Sequence, residues 1–218
     1  MNTVKLFVEG GGSSKSLHTE CRMAFSSFLK KAGFVGHMPR IVACGSRNEA
    51  YSDYCTAINN GETAVLLVDS EAPVIIPPGT TEEYESWKPW HHLKNRRSPN
   101  GQMTDNWDKP QGGSEIDCHL MVESMESWFL ADPEALKTYY GKDFCDNALP
   151  KNPNIEELAK EKVLESLKHA TNHTQKGVYD KGRHSFELLG CISQKKVTHQ
   201  SQWANRFVVL LSSKLKPS

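Results

Sequence analysis

The chain has 218 residues, enough for one compact domain with a sizeable core. Its 26 Lys+Arg and 26 Asp+Glu cancel, so no whole-molecule field draws it to nucleic acid and any such contact must come from a local patch. Hydrophobic residues at 38% and charged residues at 24% fit a soluble globular protein, and no apolar run approaches the roughly 18 residues a membrane helix needs. An acidic residue and glycines interrupt the first apolar run by position 9, unlike a secretory signal. Cys21, Cys44, Cys55, Cys118, Cys145 and Cys191 are scattered without a C-x-x-C, so reduced thiols and a cytoplasmic location are expected. Cys118-His119 and His91-His92 lack the spacing of a zinc site.

In chain order, residues 3–9 (TVKLFVE) read as a buried strand, and Ser13 or Ser14 caps a helix that ends near Lys30-Lys31 and Gly33. RIVAC (40–44) is a second strand and residues 47–59 a second helix. TAVLLVDSE (63–71) is the clearest strand, and this alternation predicts a parallel sheet covered by helices. From Pro73 to about Gly113 the composition shifts to Pro, Gly, Asn and charge with three tryptophans. A short helix is expected within 87–97 and a long loop over 97–113, the kind of loop that is usually functional or mobile. IDCHLMVES (116–124) is a fourth strand, and 125–141 reads as helix with a break or new first turn at Pro133. Asn154 is expected to cap a helix over 155–170; a short helix within 179–192 and an apolar helix over about 201–215 close the chain.

The stretch VEGGGSSKS after the first strand admits two readings. A phosphate loop requires G-x-x-x-x-G-K-[ST], but Ser14 stands where the glycine before the lysine belongs, and Glu9 would put negative charge beside the phosphates. The alternative is a metal centre. Ligands gather at the carboxyl ends of parallel strands, where Glu9 ends the first strand and Asp69 and Glu71 end the third. Residues i and i+2 off a strand point the same way, so Asp69 and Glu71 can share one ligand. Three converging carboxylates call for a hard divalent cation, Mg²⁺ or Mn²⁺. Gly10 and Gly11 let the chain turn, and Lys15 in the first helical turn is a candidate phosphate contact.

A strand-end Glu followed two strands later by D-x-D or D-x-E resembles the Toprim superfamily of topoisomerase, primase and OLD-type nuclease domains, at LFVEGGG (6–12) and LLVDSE (66–71). The chain looks more closely like a Toprim-like bacterial family whose members are often encoded beside an ATPase in neighbourhoods linked to phage defence. The stretches that carry this are FVEGGGSSKSLHTECRMAF, ACGSRNEAYSDYC, VLLVDSE, HLMVESMESWFLADPEAL and YDKGRHSFELLG. Asp69-Ser-Glu71 departs from the commonest D-x-D and lengthens one metal-binding arm. The resemblance implies a three-layer α/β/α fold with a mostly parallel sheet of about four strands. It implies a Toprim-like core over 1–141, with an insertion of about 73–113, and a helical part over 142–218 in the same domain. It also implies metal-dependent phosphodiester cleavage of DNA or RNA, with an ATPase partner. Glu9 is then a ligand or a general base; homo-oligomerisation stays open. The alternatives are a Toprim-like binding or regulatory subunit without chemistry, and a nucleotide kinase of phosphate-loop type.

Further candidates follow from position. Arg47 lies at the carboxyl end of the second strand, where its planar fork suits a phosphate. Glu126 sits beside Met125 and Trp128, where a carboxylate is expensive to bury unpaired. His119 is a site candidate or a hydrogen-bonded core histidine. Lys181, Arg183 and His184 in YDKGRHSF form a basic and aromatic cluster suited to transition-state charge or a nucleic-acid backbone. OLD-type nucleases use a late lysine in this way, and Lys181 fits that position. Lys94, Arg96 and Arg97 in the tryptophan-bearing segment form a second possible nucleic-acid surface.

Overall fold

A computed structural model describes residues 3–76, 83–98 and 100–215. The parts of the expected insertion at 77–82 and 99 lie outside the described residues. The fold is α/β, as predicted. Strands β1 (Lys5–Gly11), β2 (Arg40–Gly45), β3 (Ala64–Asp69) and β4 (Cys118–Met121) form one parallel sheet in the order β2-β1-β3-β4. The chain leaves β1 toward β2 and then returns to β1's other side, so the β1/β3 boundary is the topological switch point.

Local chemistry sets the first half. The Ser14 hydroxyl accepts from Leu17 N and starts α1 (Lys15–Lys31). Ser46 and Glu49 form a reciprocal capping box at the start of α2 (Arg47–Asn59). Every residue of β3 is buried, because helices and loops cover both sheet faces. Leu6, Val8, Val65 and Leu67 pack on one face with Phe25, Phe28, Trp128 and Leu188. Phe7, Leu66 and Val68, at alternate positions, pack on the other with Tyr54, Trp87, Trp90 and Trp107. The segment expected to be a loop insertion therefore spends its tryptophans covering one sheet face. Its predicted helix is α3 (Pro89–Asn95).

Beyond the insertion the elements are shorter than their sequence pattern. β4 keeps only four residues, because Glu115–Asp117 winds into a 3₁₀ turn before it and Glu123 turns left-handed after it. Met125–Ala131 is 3₁₀ rather than α-helical, and α4 (Pro133–Tyr140) starts anew at Pro133 with Asp132 accepting from Ala135 N. The single helix expected over 155–170 is two pieces: a 3₁₀ turn at Ile155–Glu157 and α5 (Lys160–Thr171). The Glu156 carboxylate explains the break, since it accepts from Ser201 Oγ (2.6 Å) and Trp203 N (2.8 Å) at the start of the last helix, far along the chain. The chain closes with α6 (Lys181–Cys191), α7 (Gln194–Gln200), which the sequence reading did not anticipate, and α8 (Gln202–Leu215). Lys31 fixes α6 against α1 by donating to the carbonyls of Gly190, Cys191 and Ile192 at 2.7, 2.7 and 2.9 Å. Among the described residues no helix is long and apolar enough to cross a membrane.

Candidate functional site

The site begins with a bulge. Gly10 and Gly11 both pair opposite Gly45, so β1 kinks at its carboxyl end just after Glu9. Gly11 has φ +93°, and a Cβ there would lie 2.9 Å from His18 N; only glycine allows the strand to turn this tightly into α1. Across the switch point, Glu71 and Glu123 both occupy the left-handed region, at φ 58° and 60°. They brace each other: Glu71 N donates to Glu123 O (3.0 Å), and Glu123 N donates to Ser70 Oγ (2.7 Å). Non-glycine residues held this way store local strain, which persists only where the surroundings impose it.

These turns bring Glu9, Asp69 and Glu71 together, with one carboxylate oxygen from each lying within 4.8 Å of the others. Asp69 is buried, while Glu9 and Glu71 are partly so. Glu9 Oε2 accepts from Asp69 N at 2.9 Å, and Asp69 Oδ1 accepts from Met125 N at 2.8 Å. Burial, and then the charge of Asp69, push the Glu9 carboxyl well above its usual range. Burial raises Asp69 from 3.8 to about 6, with Glu126 and Glu71 adding to the rise and Lys181 opposing it. A set of hard oxygen donors that resist carrying charge together is the donor set a small divalent cation stabilises, so the residues fit Mg²⁺ or Mn²⁺.

Cationic groups surround the acids. Lys181 opens α6, and its ammonium lies 3.5 Å from Asp69 Oδ2 and 3.4 Å from Glu126. Burial disfavours that charge, but Asp69, Glu126 and Glu9 outweigh it and hold the ammonium above its usual range. Glu126 is fully buried and accepts from Tyr179 Oη at 3.0 Å. Lys160, at the start of α5, reaches Glu71 Oε2 at 2.6 Å.

Arg47 differs from its expected role. Its Nε lies 3.3 Å from Glu9 Oε2 and donates to Asp69 O, while Nη1 and Nη2 donate to Asp105 at 2.6 and 3.1 Å. Arg96 grips the same carboxylate at 2.7 and 2.8 Å. The fork expected to clamp a phosphate is thus spent on Asp105, and Arg47 offsets the charge of Glu9.

Beside the acids lies a cavity of about 230 Å³, lined by Glu9, Asp69, Lys181, the glycines 10–12, Met125 and Phe186 among others. Of the expected substrate contacts, Gly10 and Gly11 line it. Lys15 is exposed on α1 and does not line it. His119 is buried in β4 against Phe207 and outside the cavity lining; its Nδ1 accepts from Arg206 Nη1 at 3.1 Å. Burial, reinforced by Arg206, lowers its pKa well below the usual value, which makes it a neutral core histidine. His184 Nδ1 accepts from Asp180 N at 3.0 Å, holding the start of α6 and so the base of Lys181. Arg183 is exposed and outside the cavity lining. Of the second basic run, Lys94 pairs with Asp108 and Arg96 with Asp105, while the exposed Arg97 donates to the carbonyl of Gly101.

Sequence reasoning missed Lys160, Asp105 and Tyr179. Tyr179 directly precedes the basic cluster, and its phenol was the nearest signal. Lys160 and Asp105 sit in ordinary charged stretches, and nothing local marks the long-range pairs they make. No curated protein and no solved structure matches the chain. A family match does cover residues 8–212, nearly the whole length, including every residue of the acid cluster and of α6. The chain belongs to DUF4276, a family defined by a domain of unknown function.

Proposed function

We propose that the chain is a Toprim-type, metal-dependent nuclease or nuclease subunit. The observation that carries the reading is the convergence of Glu9, Asp69 and Glu71 across the switch point, within 4.8 Å, beside a lysine at a small cavity. Glu9, Asp69 and Glu71 would hold one Mg²⁺ or Mn²⁺, and the ion would supply Lewis-acid polarisation of a phosphodiester and an acidified water. The chain's own groups do the remaining work. Lys181, already charged and held between Asp69 and Glu126, neutralises negative charge developing on the phosphoryl or leaving oxygen. Glu126 orients that ammonium from behind, and Tyr179 holds Glu126. Met125 and Phe186 narrow the cavity and limit water beside the reacting phosphate.

Labelled DNA and RNA are incubated with Mg²⁺ or Mn²⁺, with and without the ATPase partner implied by the Toprim-like resemblance. Cleavage that requires metal and disappears in folded Glu9→Gln and Asp69→Asn supports the proposal. Absence of metal-dependent cleavage with the partner present favours a binding or regulatory subunit. That second reading has its own observation: Arg47–Asp105 and Lys160–Glu71 already pair much of the charge. The kinase reading gains least, because Lys15, on which it depends, is exposed away from the cavity lining.

A further inference from the structure

The walls of the cavity beside the carboxylates have chemistry that a phosphodiester does not use. Leu17, Met121, Met125 and Phe186 line it together with Glu9, Asp69 and Lys181. Phe186 projects from α6 against the tip of β1: a Cβ on Gly10 would lie 2.9 Å from its Cζ and 3.2 Å from its Cε1. Glycine at position 10 is thus what lets an aromatic ring close on the residue next to Glu9. Among the described residues no second aromatic ring stacks on Phe186, although most aromatic rings of this protein pack in pairs. Gly182 and Ser185, the small residues of α6 that line the same cavity, leave room in front of the helix. The volume of about 230 Å³ falls below the roughly 300–1,000 Å³ of sites for drug-sized ligands. It is large enough for one planar group.

We propose that this cavity takes a single unpaired nucleobase, placed against Phe186, whose own phosphate meets Lys181 and the metal-binding carboxylates. The inference rests on the nuclease reading and narrows its substrate to nucleotides whose base is free to leave the stack: single strands, loops and termini. A duplex interior would have to expel a base first, which costs unstacking energy.

The test measures binding to the full chain in Mn²⁺ by calorimetry, using 2′-deoxyadenosine 5′-monophosphate and inorganic phosphate as probes. Stacking one base on an aromatic ring corresponds to roughly 5- to 150-fold in affinity. The nucleotide is expected to bind tighter than phosphate by a factor in that range. Phe186→Leu, which keeps the apolar packing but removes the ring face, should erase the difference between the two probes. Phe186→Tyr should retain it. Equal affinities for the two probes in the wild type, or an undiminished preference in folded Phe186→Leu, overturn the inference alone. Phosphate binding that is indifferent to Mn²⁺ and survives Asp69→Asn overturns it together with the metal reading. As a second readout, an unpaired oligonucleotide should be cut at least tenfold faster than the same sequence in a closed duplex, and equal rates would contradict the proposal.

Discussion

Replacing Asp69 by Asn should stabilise the metal-free protein while abolishing its response to metal. Asp69 is 1% exposed, and its carboxyl is raised from 3.8 to about 6 chiefly by burial. A shift of that size corresponds to a penalty on the order of 3 kcal/mol for the ionised folded state. The attraction of Lys181 is already included in it. The sign follows from proton binding. Between about pH 4 and 6 the folded protein holds the Asp69 proton and the unfolded chain does not, so wild-type stability falls as pH rises through that window. The carboxamide of the variant cannot ionise, retains an acceptor for Met125 N, and also relieves Glu9, whose carboxyl Asp69 helps to raise. Its N–H₂ faces the Lys181 ammonium less favourably, which trims the gain. In EDTA at pH 8 the variant should therefore be more stable than wild type by roughly 1–3 kcal/mol, a rise in midpoint of about 2–12 °C for a chain of this size. At pH 4 the two should converge. Mn²⁺ at a hundred times its Kd should then raise wild-type stability by about 2.7 kcal/mol and leave the variant unmoved. Thermal unfolding monitored by circular dichroism across pH, with EDTA or Mn²⁺, reads both effects. A variant less stable than wild type in EDTA at pH 8, or equally stabilised by Mn²⁺, would refute the reasoning.

Other variants probe the surroundings of the acids. Lys160→Met removes the ammonium that competes for Glu71, so Mn²⁺ should bind several-fold tighter by calorimetry, while the lost pair, partly exposed on both sides, costs under about 1 kcal/mol of stability. Asp105→Ala strands two largely buried arginines, so urea unfolding should show a loss of about 3–5 kcal/mol, with faster amide exchange over residues 100–110. Arg206→Met leaves the carbonyls of Tyr84, Glu115 and Cys118 and the ring of His119 without their buried donor. At about 1–3 kcal/mol for each buried group left unsatisfied, it should cost at least about 3 kcal/mol by the same measurement without altering Mn²⁺ affinity.

The legible part of this protein was its local chemistry. Ser14, the helical spacing of Cys21, Phe25 and Phe28, and the unbroken apolar run of β3 fixed the first strand–helix–strand units within a residue or two. The acid cluster was legible for the same reason, since strand ends in a parallel sheet place Glu9 and Asp69 by topology alone. What stayed hidden was long-range. Glu156 breaks a helix because it bonds residues 45 and 47 positions later, and its own stretch carries no trace of that. Arg47 and His119 have the right residue types in apt positions, yet each is claimed by a partner from a distant segment, Asp105 and Arg206. The tryptophans of the insertion likewise read as a surface for bases until they are found packed on the sheet.

The central claim is that three carboxylates from two adjacent strands bind one hard cation. Crystals soaked in Mn²⁺, with the anomalous signal mapped, address it directly. One Mn²⁺ is expected, with oxygens of Glu9, Asp69 and Glu71 at about 2 Å, as for small hard cations, and with Lys160 released from Glu71. An ion bound elsewhere, or none with Glu71 still paired to Lys160, would contradict it.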